Sequence, residues 1–125
     1  MYRAIKWKIR YFIEGISNLI KWRKVIYHDK DFDHFFIYEI LKTKLQFQAE
    51  HLKKYGYHTS AESDANKIME CVGLIEEVQN ELIMDAALDC EDKSYASLKA
   101  AQEKHDATRK KLFETISNNI ENWWD

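Results

Sequence analysis

Apolar residues recur at steps of three and four along nearly the whole chain, and the phase of that pattern breaks three times, which predicts four helices. The first, over about residues 3–24, places Ile5, Ile9, Phe12, Ile16 and Leu19/Ile20 on one face with Lys6, Arg10, Lys21 and Lys24 mostly elsewhere, so it is amphipathic and basic. Gly15, followed by Ser17 and Asn18, is the place where this helix is open to a bend or a split, because glycine costs about 1 kcal/mol in a helix interior relative to alanine.

The second helix is expected over about residues 31–55, with Asp31 or Asp33 accepting the orphan amide hydrogens of its first turn. Ile37, Leu41, Leu45 and Leu52 make one stripe and Phe36, Ile40 and Phe47 a second, and so wide an apolar arc suggests a central or interface helix. Gly56 reads as a left-handed C-cap, with Lys53 and Lys54 complementing the negative end of the helix dipole. Thr59, Ser60 and Ser63 are cap candidates for a third helix, about 61–90, built on Ile68, Val72, Ile75, Leu82 and Ala86. Asp89–Ser94 breaks the pattern, and Ser94 is placed to cap a fourth helix, about 94–122, that carries Leu98, Ala101, His105, Leu112, Ile116 and Ile120. The middle of that helix is mostly alanine and charge, so it needs neighbours to hold in water.

The expected architecture is therefore all-α: an antiparallel bundle of about four helices forming one domain over 1–125, assembled as a homo-oligomer through the second helix and the C-terminal Trp123 and Trp124. Composition agrees, since the chain has no proline and only three glycines, the profile of long uninterrupted helices rather than of a turn-rich β fold. Charge adds an asymmetry that the net value of −2 conceals: residues 1–56 hold 12 Lys/Arg against 6 Asp/Glu, and residues 57–125 hold 7 against 15. Such polarity suits an anionic partner at the basic end, and equally suits opposite charges paired between helices or subunits. Cys71 and Cys90 fit no CxxC spacing and no disulfide framework, and read as reduced thiols. With neither a signal-peptide apolar region nor an apolar run long enough to span a bilayer, the expected location is the cytoplasm.

Candidate chemistry is sparse. His28, Asp29, Asp31, Asp33 and His34 crowd two imidazoles and three carboxylates into seven residues. Metal binding is the sharp reading, but their spacing matches no established ligand set and acidic residues at a helix start are what the dipole alone favours, so no metal and no cofactor are expected. Glu76, Glu77, Glu81 and Asp85 invite comparison with the magnesium-holding carboxylates of all-α nucleotide pyrophosphohydrolases, but those step by three and these by four, so a solvated acidic face is the simpler reading. Nucleophile-elbow, phosphate-loop and HExxH patterns are absent, and the chain is not expected to be an enzyme. Phosphate would have to be met by Arg3, Lys6, Lys8, Arg10, Lys21, Arg23 and Lys24, which are interleaved with Tyr2, Trp7, Tyr11, Trp22 and Tyr27. The same mixture suits an anionic membrane surface, or a core-facing helix with a snorkelling basic rim.

The segment Lys21-Trp22-Arg23-Lys24-Val25-Ile26-Tyr27-His28-Asp29-Lys30-Asp31-Phe32-Asp33-His34, with Glu39-Ile40-Leu41-Lys42-Thr43-Lys44-Leu45, Gly56, Asp64-Ala65-x-Lys67-Ile68 and the closing Trp-Trp-Asp, resembles a widespread family of small bacteriophage proteins of unassigned function. Tyr27 and Phe32 stand where that pattern has tryptophan. The resemblance implies a phage accessory protein in the bacterial cytoplasm, and one class of such helical proteins sequesters the cyclic-nucleotide signals of bacterial immunity. By that analogy Arg23, Lys24, Lys42 and Lys44 would meet phosphate, Trp22, Tyr27 and Tyr38 would stack on the base, and Asp29, Asp31 and Asp33 would cap the second helix or contact base edges. Nucleic acid is not the expected partner. The alternative is a protein-interaction module acting on a host enzyme or in the virion, with the exposed aromatics as anchors.

Overall fold

The computed structural model describes residues 1–88 and 95–124, and these form four α-helices: α1 (Tyr2–His28), α2 (Phe35–Tyr55), α3 (Ala61–Leu88) and α4 (Tyr95–Asn119), the last followed by one 3-10 turn, Ile120–Asn122. The expected break at Asp89–Ser94, the Ser94 cap, Cys90 and Asp125 lie outside the described residues, as do the side chains of Asp85 and Ala86. The chain divides into two compact units, residues 1–33 and residues 34–125.

The first unit is α1 and the turn after it. The helix runs unbroken through Gly15 and four residues beyond the expected end. Space around Gly15 is open and the helical hydrogen bonding continues across it, so its cost is a local loss of stability and not a change of direction. An Arg10 to Glu14 ion pair at 3.1 Å braces the next turn. No residue of α1 is buried.

The second unit holds the core. α3 packs against both α2 and α4, so α3 takes the central place, one of the two roles, central or interface, that the wide apolar arc suggested for α2. The reason lies in its sequence: Ala61, Ala65, Ile68, Val72 and Ile75 recur along one side while Cys71, Leu74 and Val78 fill an adjoining one, and all are buried. α2 contributes Tyr38, Leu45, Ala49 and Leu52, α4 contributes Leu112, and Trp123 closes the end, with Leu41, Leu82 and Ile116 packed at the margin. Ile37, expected in the buried stripe, is 68% exposed, and Ile40, Leu98 and Ile120 are exposed too. The buried arc of α2 is consequently narrower than its composition implied.

Both ends of α2 differ from expectation. Its cap position is His34, whose side chain makes no capping bond, and Asp31 and Asp33 belong to the preceding turn, closed by the Asp33 N–H to the Lys30 carbonyl at 3.1 Å. At the other end Gly56 is extended (φ −64°, ψ 128°), not left-handed. Glycine is needed there for another reason: a Cβ would run into the Leu52 carbonyl oxygen and come within 2.5 Å of the Ala61 Cβ. The chain turns from α2 into α3 through a gap that no side chain fits.

Candidate functional site

Residues 22–34, the centre of the sequence-based site, lie on the last two turns of α1 and the turn after it. A helix advances 100° per residue, so Arg23 and Tyr27 share a face, with Lys24 beside them, while Trp22 projects about 140° away from Tyr27. The two rings therefore do not flank one ligand from a single helix face. Arg23 is exposed and donates through Nη1 to the Ile20 carbonyl at 3.2 Å, which tilts the guanidinium back along the helix. Lys24 is exposed, and the exposed Tyr27 ring meets the His28 imidazole edge-on with centroids 5.2 Å apart. Asp29 ends the helix through its backbone, N–H to the Ile26 carbonyl at 3.2 Å. Trp22 and Asp33 are partly buried and Asp31 is exposed. Between Lys21 and His28 there is no carboxylate, which leaves this end of α1 cationic and aromatic.

The second unit holds four further candidates, His34, Tyr38, Lys42 and Lys44. Tyr38 is buried, its ring 6.2 Å from that of Phe113, so it serves the core rather than a ligand stack. The Lys42 ammonium sits 3.1 Å from Glu39 Oε2 and donates to Gln79 Oε1 at 3.2 Å. Gln79, 4% exposed, in turn donates through Nε2 to Glu39 Oε2 at 2.8 Å. Burial pushes the Glu39 carboxyl up, but the hydrogen bonds from Gln79 and Lys42 and the Lys42 charge together hold it below its ordinary value. Lys42 thus compensates an internal carboxylate. Lys44 is exposed, and two residues along the helix it points to the opposite side from Lys42. His34 is exposed at the start of α2.

A second polar knot joins α3 to α4. His105 Nδ1 lies 3.2 Å from Glu81 Oε2, and the Thr108 hydroxyl lies 3.1 Å from Glu81 Oε1 and 3.0 Å from the Lys104 carbonyl. Each carboxylate oxygen of Glu81 already has a partner inside the unit, so Glu81 is not presented with Glu77 as an open pair. Among the described residues no cluster of three or more His, Cys, Asp or Glu side chains is arranged to hold a metal ion.

Sequence reading missed the cavity at the turn between α2 and α3, about 560 Å³, lined by Lys53, Gly56, His58, Thr59, Glu62 and Asn66 among others. Beside it Asp64 Oδ2 receives the Ser60 hydroxyl at 3.1 Å and lies 3.0 Å from His58 Nε2, and the His58 ring lies nearly parallel to Trp124 with centroids 6.4 Å apart. The Thr59–Ser60 cap signal marked this turn but not the space it encloses. The C-terminal tryptophans separate: Trp123 is 6% exposed within the core and Trp124 is 71% exposed. Cys71 is fully buried, and that burial raises its thiol to about 11.

Comparison of the chain with known protein families, with curated proteins and with solved structures finds no match in any of the three.

Proposed function

We propose that the chain is a non-enzymatic phage accessory protein that binds and sequesters an anionic, nucleotide-like small molecule. One observation carries the reading: Arg23, Lys24, Tyr27 and His28 stand exposed on the last two turns of α1 with no carboxylate between Lys21 and His28. Guanidinium and ammonium groups grip phosphate, and an exposed aromatic ring stacks on a base whatever its identity. Tyr38 and Lys42 leave the ligand set for the reasons of burial and pairing given above, and Lys44 stays in it only as a separate exposed cation.

We read α2, α3 and α4 as an antiparallel bundle: the end of α2 at Gly56 adjoins the start of α3 at Ala61, whereas Lys42, in the first half of α2, meets Gln79 far along α3. Assembly into a homo-oligomer would bring copies of the cationic turn together and complete a pocket that one helix face cannot enclose. Native mass spectrometry of the full chain with a panel of linear and cyclic nucleotides tests this. A defined oligomer that gains nucleotide mass, releases it intact on denaturation, and loses the gain on Lys24→Gln supports the reading. An oligomer that stays empty across the panel overturns it.

The second reading, a protein-interaction module, is favoured by a different observation. Trp7 and Tyr11 stack with centroids 5.5 Å apart, both exposed, and with Arg10 and Glu14 they line a shallow cleft of about 260 Å³. Exposed aromatic and arginine side chains of this kind act as anchors at protein interfaces. A stoichiometric host protein bound by the wild type and released by Trp7→Ala would support it.

A further inference from the structure

From Ile5 to Ile20, α1 keeps one face free of polar residues. At 100° per residue, Lys6 and Lys8 fall on opposite edges of an arc about 160° wide. Between Tyr2 and Ile20 that arc holds Ile5, Ile9, Phe12, Ile13, Ile16 and Leu19 and no polar residue, and every one of these side chains is exposed. Outside the arc lie Arg3, Arg10 and Lys21 together with the stacked Trp7 and Tyr11 rings, with Glu14 the single carboxylate of the whole helix. Seven Lys/Arg against one Glu give α1 a charge of +6, equal in size and opposite in sign to that of α3, where seven Asp/Glu stand against Lys67 alone. At the other end Arg23 stands in the middle of the same arc, so the continuous apolar face closes at Ile20 and the ligand-type turn of the preceding subsection begins there.

We propose that α1 is an interfacial helix that lies on an anionic phospholipid surface, with the Ile5 to Ile20 face sunk to the level of the acyl chains and Lys6 and Lys8 reaching the phosphates from its two edges. This goes beyond the nucleotide reading and does not rest on it. No described helix of the chain is long and apolar enough to cross a membrane, and α1 does not need to: a helix about 40 Å long, with a wide apolar face flanked by Lys and Arg, has the composition of one that lies in the interface plane.

Charge decides between lipid and a second copy of α1 as the occupant. Pairing two copies along this face would bring the Lys6 and Lys8 edges of one against those of the other and double a charge of +6 (seven cations less Glu14). An anionic bilayer covers the same apolar area while meeting each edge cation with a phosphate. The lysine stems span the required distance by snorkelling.

The test is co-sedimentation of the full chain with phosphatidylcholine vesicles, with and without phosphatidylglycerol. The expected result is capture by the anionic vesicles, weakened by salt, with little capture by phosphatidylcholine alone. Phe12→Glu should lower the partition coefficient by about tenfold or more, since it removes a large apolar side chain from the lipid-facing arc and adds a charge of the wrong sign. Lys6→Gln with Lys8→Gln should weaken capture by the anionic vesicles alone. Lys24→Gln, which removes the nucleotide gain in the previous reading, should leave most vesicle capture in place, so the two proposals fail separately. Near-ultraviolet circular dichroism of the second unit's buried Trp123 should be unchanged in these variants. A chain that stays in the supernatant with both vesicle types overturns the proposal, and so does equal capture by both. If the unbound chain is instead a dimer that Phe12→Glu dissolves, a second copy occupies the face.

Discussion

Gln48 donates its side-chain amide to the main-chain carbonyl of Trp123 over 2.7 Å, joining α2 to the C-terminal turn across 75 residues of sequence. The bond pins the Trp123 backbone while its ring, 6% exposed, enters the core beside residues of the helices. The indole Nε1 is buried there with no hydrogen-bond partner. Trp123 is thus held by packing and by its carbonyl, not by its ring nitrogen.

That division predicts two unequal substitutions. Trp123→Ala should lower unfolding free energy by about 3–5 kcal/mol, the range for removing a large buried aromatic. Trp123→Phe should cost much less, because the lost Nε1–H was unpaired and its burial was itself unfavourable. Gln48→Ala should cost about 1 kcal/mol. Urea denaturation followed by tryptophan fluorescence ranks the three, and equal costs for Phe and Ala would refute the account.

Gly56 and Gly73 should respond to alanine in opposite directions. At Gly56 the added Cβ meets the Leu52 carbonyl and the Ala61 Cβ, so the turn must open, at a cost on the order of 1–3 kcal/mol. At Gly73, within α3, nothing lies within 4 Å of the new Cβ, and the gain in helix propensity should stabilise by up to about 1 kcal/mol. Thermal melts of the two variants check the signs.

Glu39 makes stability depend on pH with a definite sign. Its native carboxyl lies below the ordinary 4.5 through Gln79 and Lys42, which outweigh burial, so the unfolded chain binds that proton more tightly. The Glu39 contribution is complete above 4.5 and is lost as pH falls through the lowered native value. Glu39→Gln should therefore show a shallower decline in unfolding free energy below 4.5 than the wild type, measured by urea midpoints across that interval.

Cys71 should be chemically silent in the native state. Burial, with a smaller contribution from the Glu70 charge, raises its thiol to about 11, and thiolate is the reactive form. In a Cys90→Ser background, alkylation at mildly alkaline pH should be slow in buffer and rapid in denaturant. Rapid native modification would mean that α3 opens locally.

Much of the fold was legible because helix periodicity is a local property. Ile68, Val72 and Ile75 recur at helical spacing and are buried, and the absence of proline marked long helices before any contact was known. The α3 start at Ala61 also matched expectation. The ends of α2 were less legible. Several residue types satisfy a helix start equally well, and here the Lys30–Asp33 turn places it at Phe35; Gly56 carries the sequence signature of a left-handed cap, whereas its need comes from Ala61, a residue that only the packing of the turn brings near.

For the site the same boundary applies. Sequence by itself determined that α1 is a basic, aromatic, amphipathic helix, because charge and periodicity along one helix need no partner to be read. It also gathered Arg23, Lys24 and Tyr27 within a single helical turn. Only the tertiary structure decided that Lys42 is committed to Glu39 and Gln79, that Tyr38 belongs to the core, that Glu81 is held by His105 and Thr108, and that Trp123 is buried while Trp124 is not. Those outcomes depend on which residues, distant in sequence, come within hydrogen-bond or packing distance, and a side chain's availability for function is set by the neighbours that reach it first.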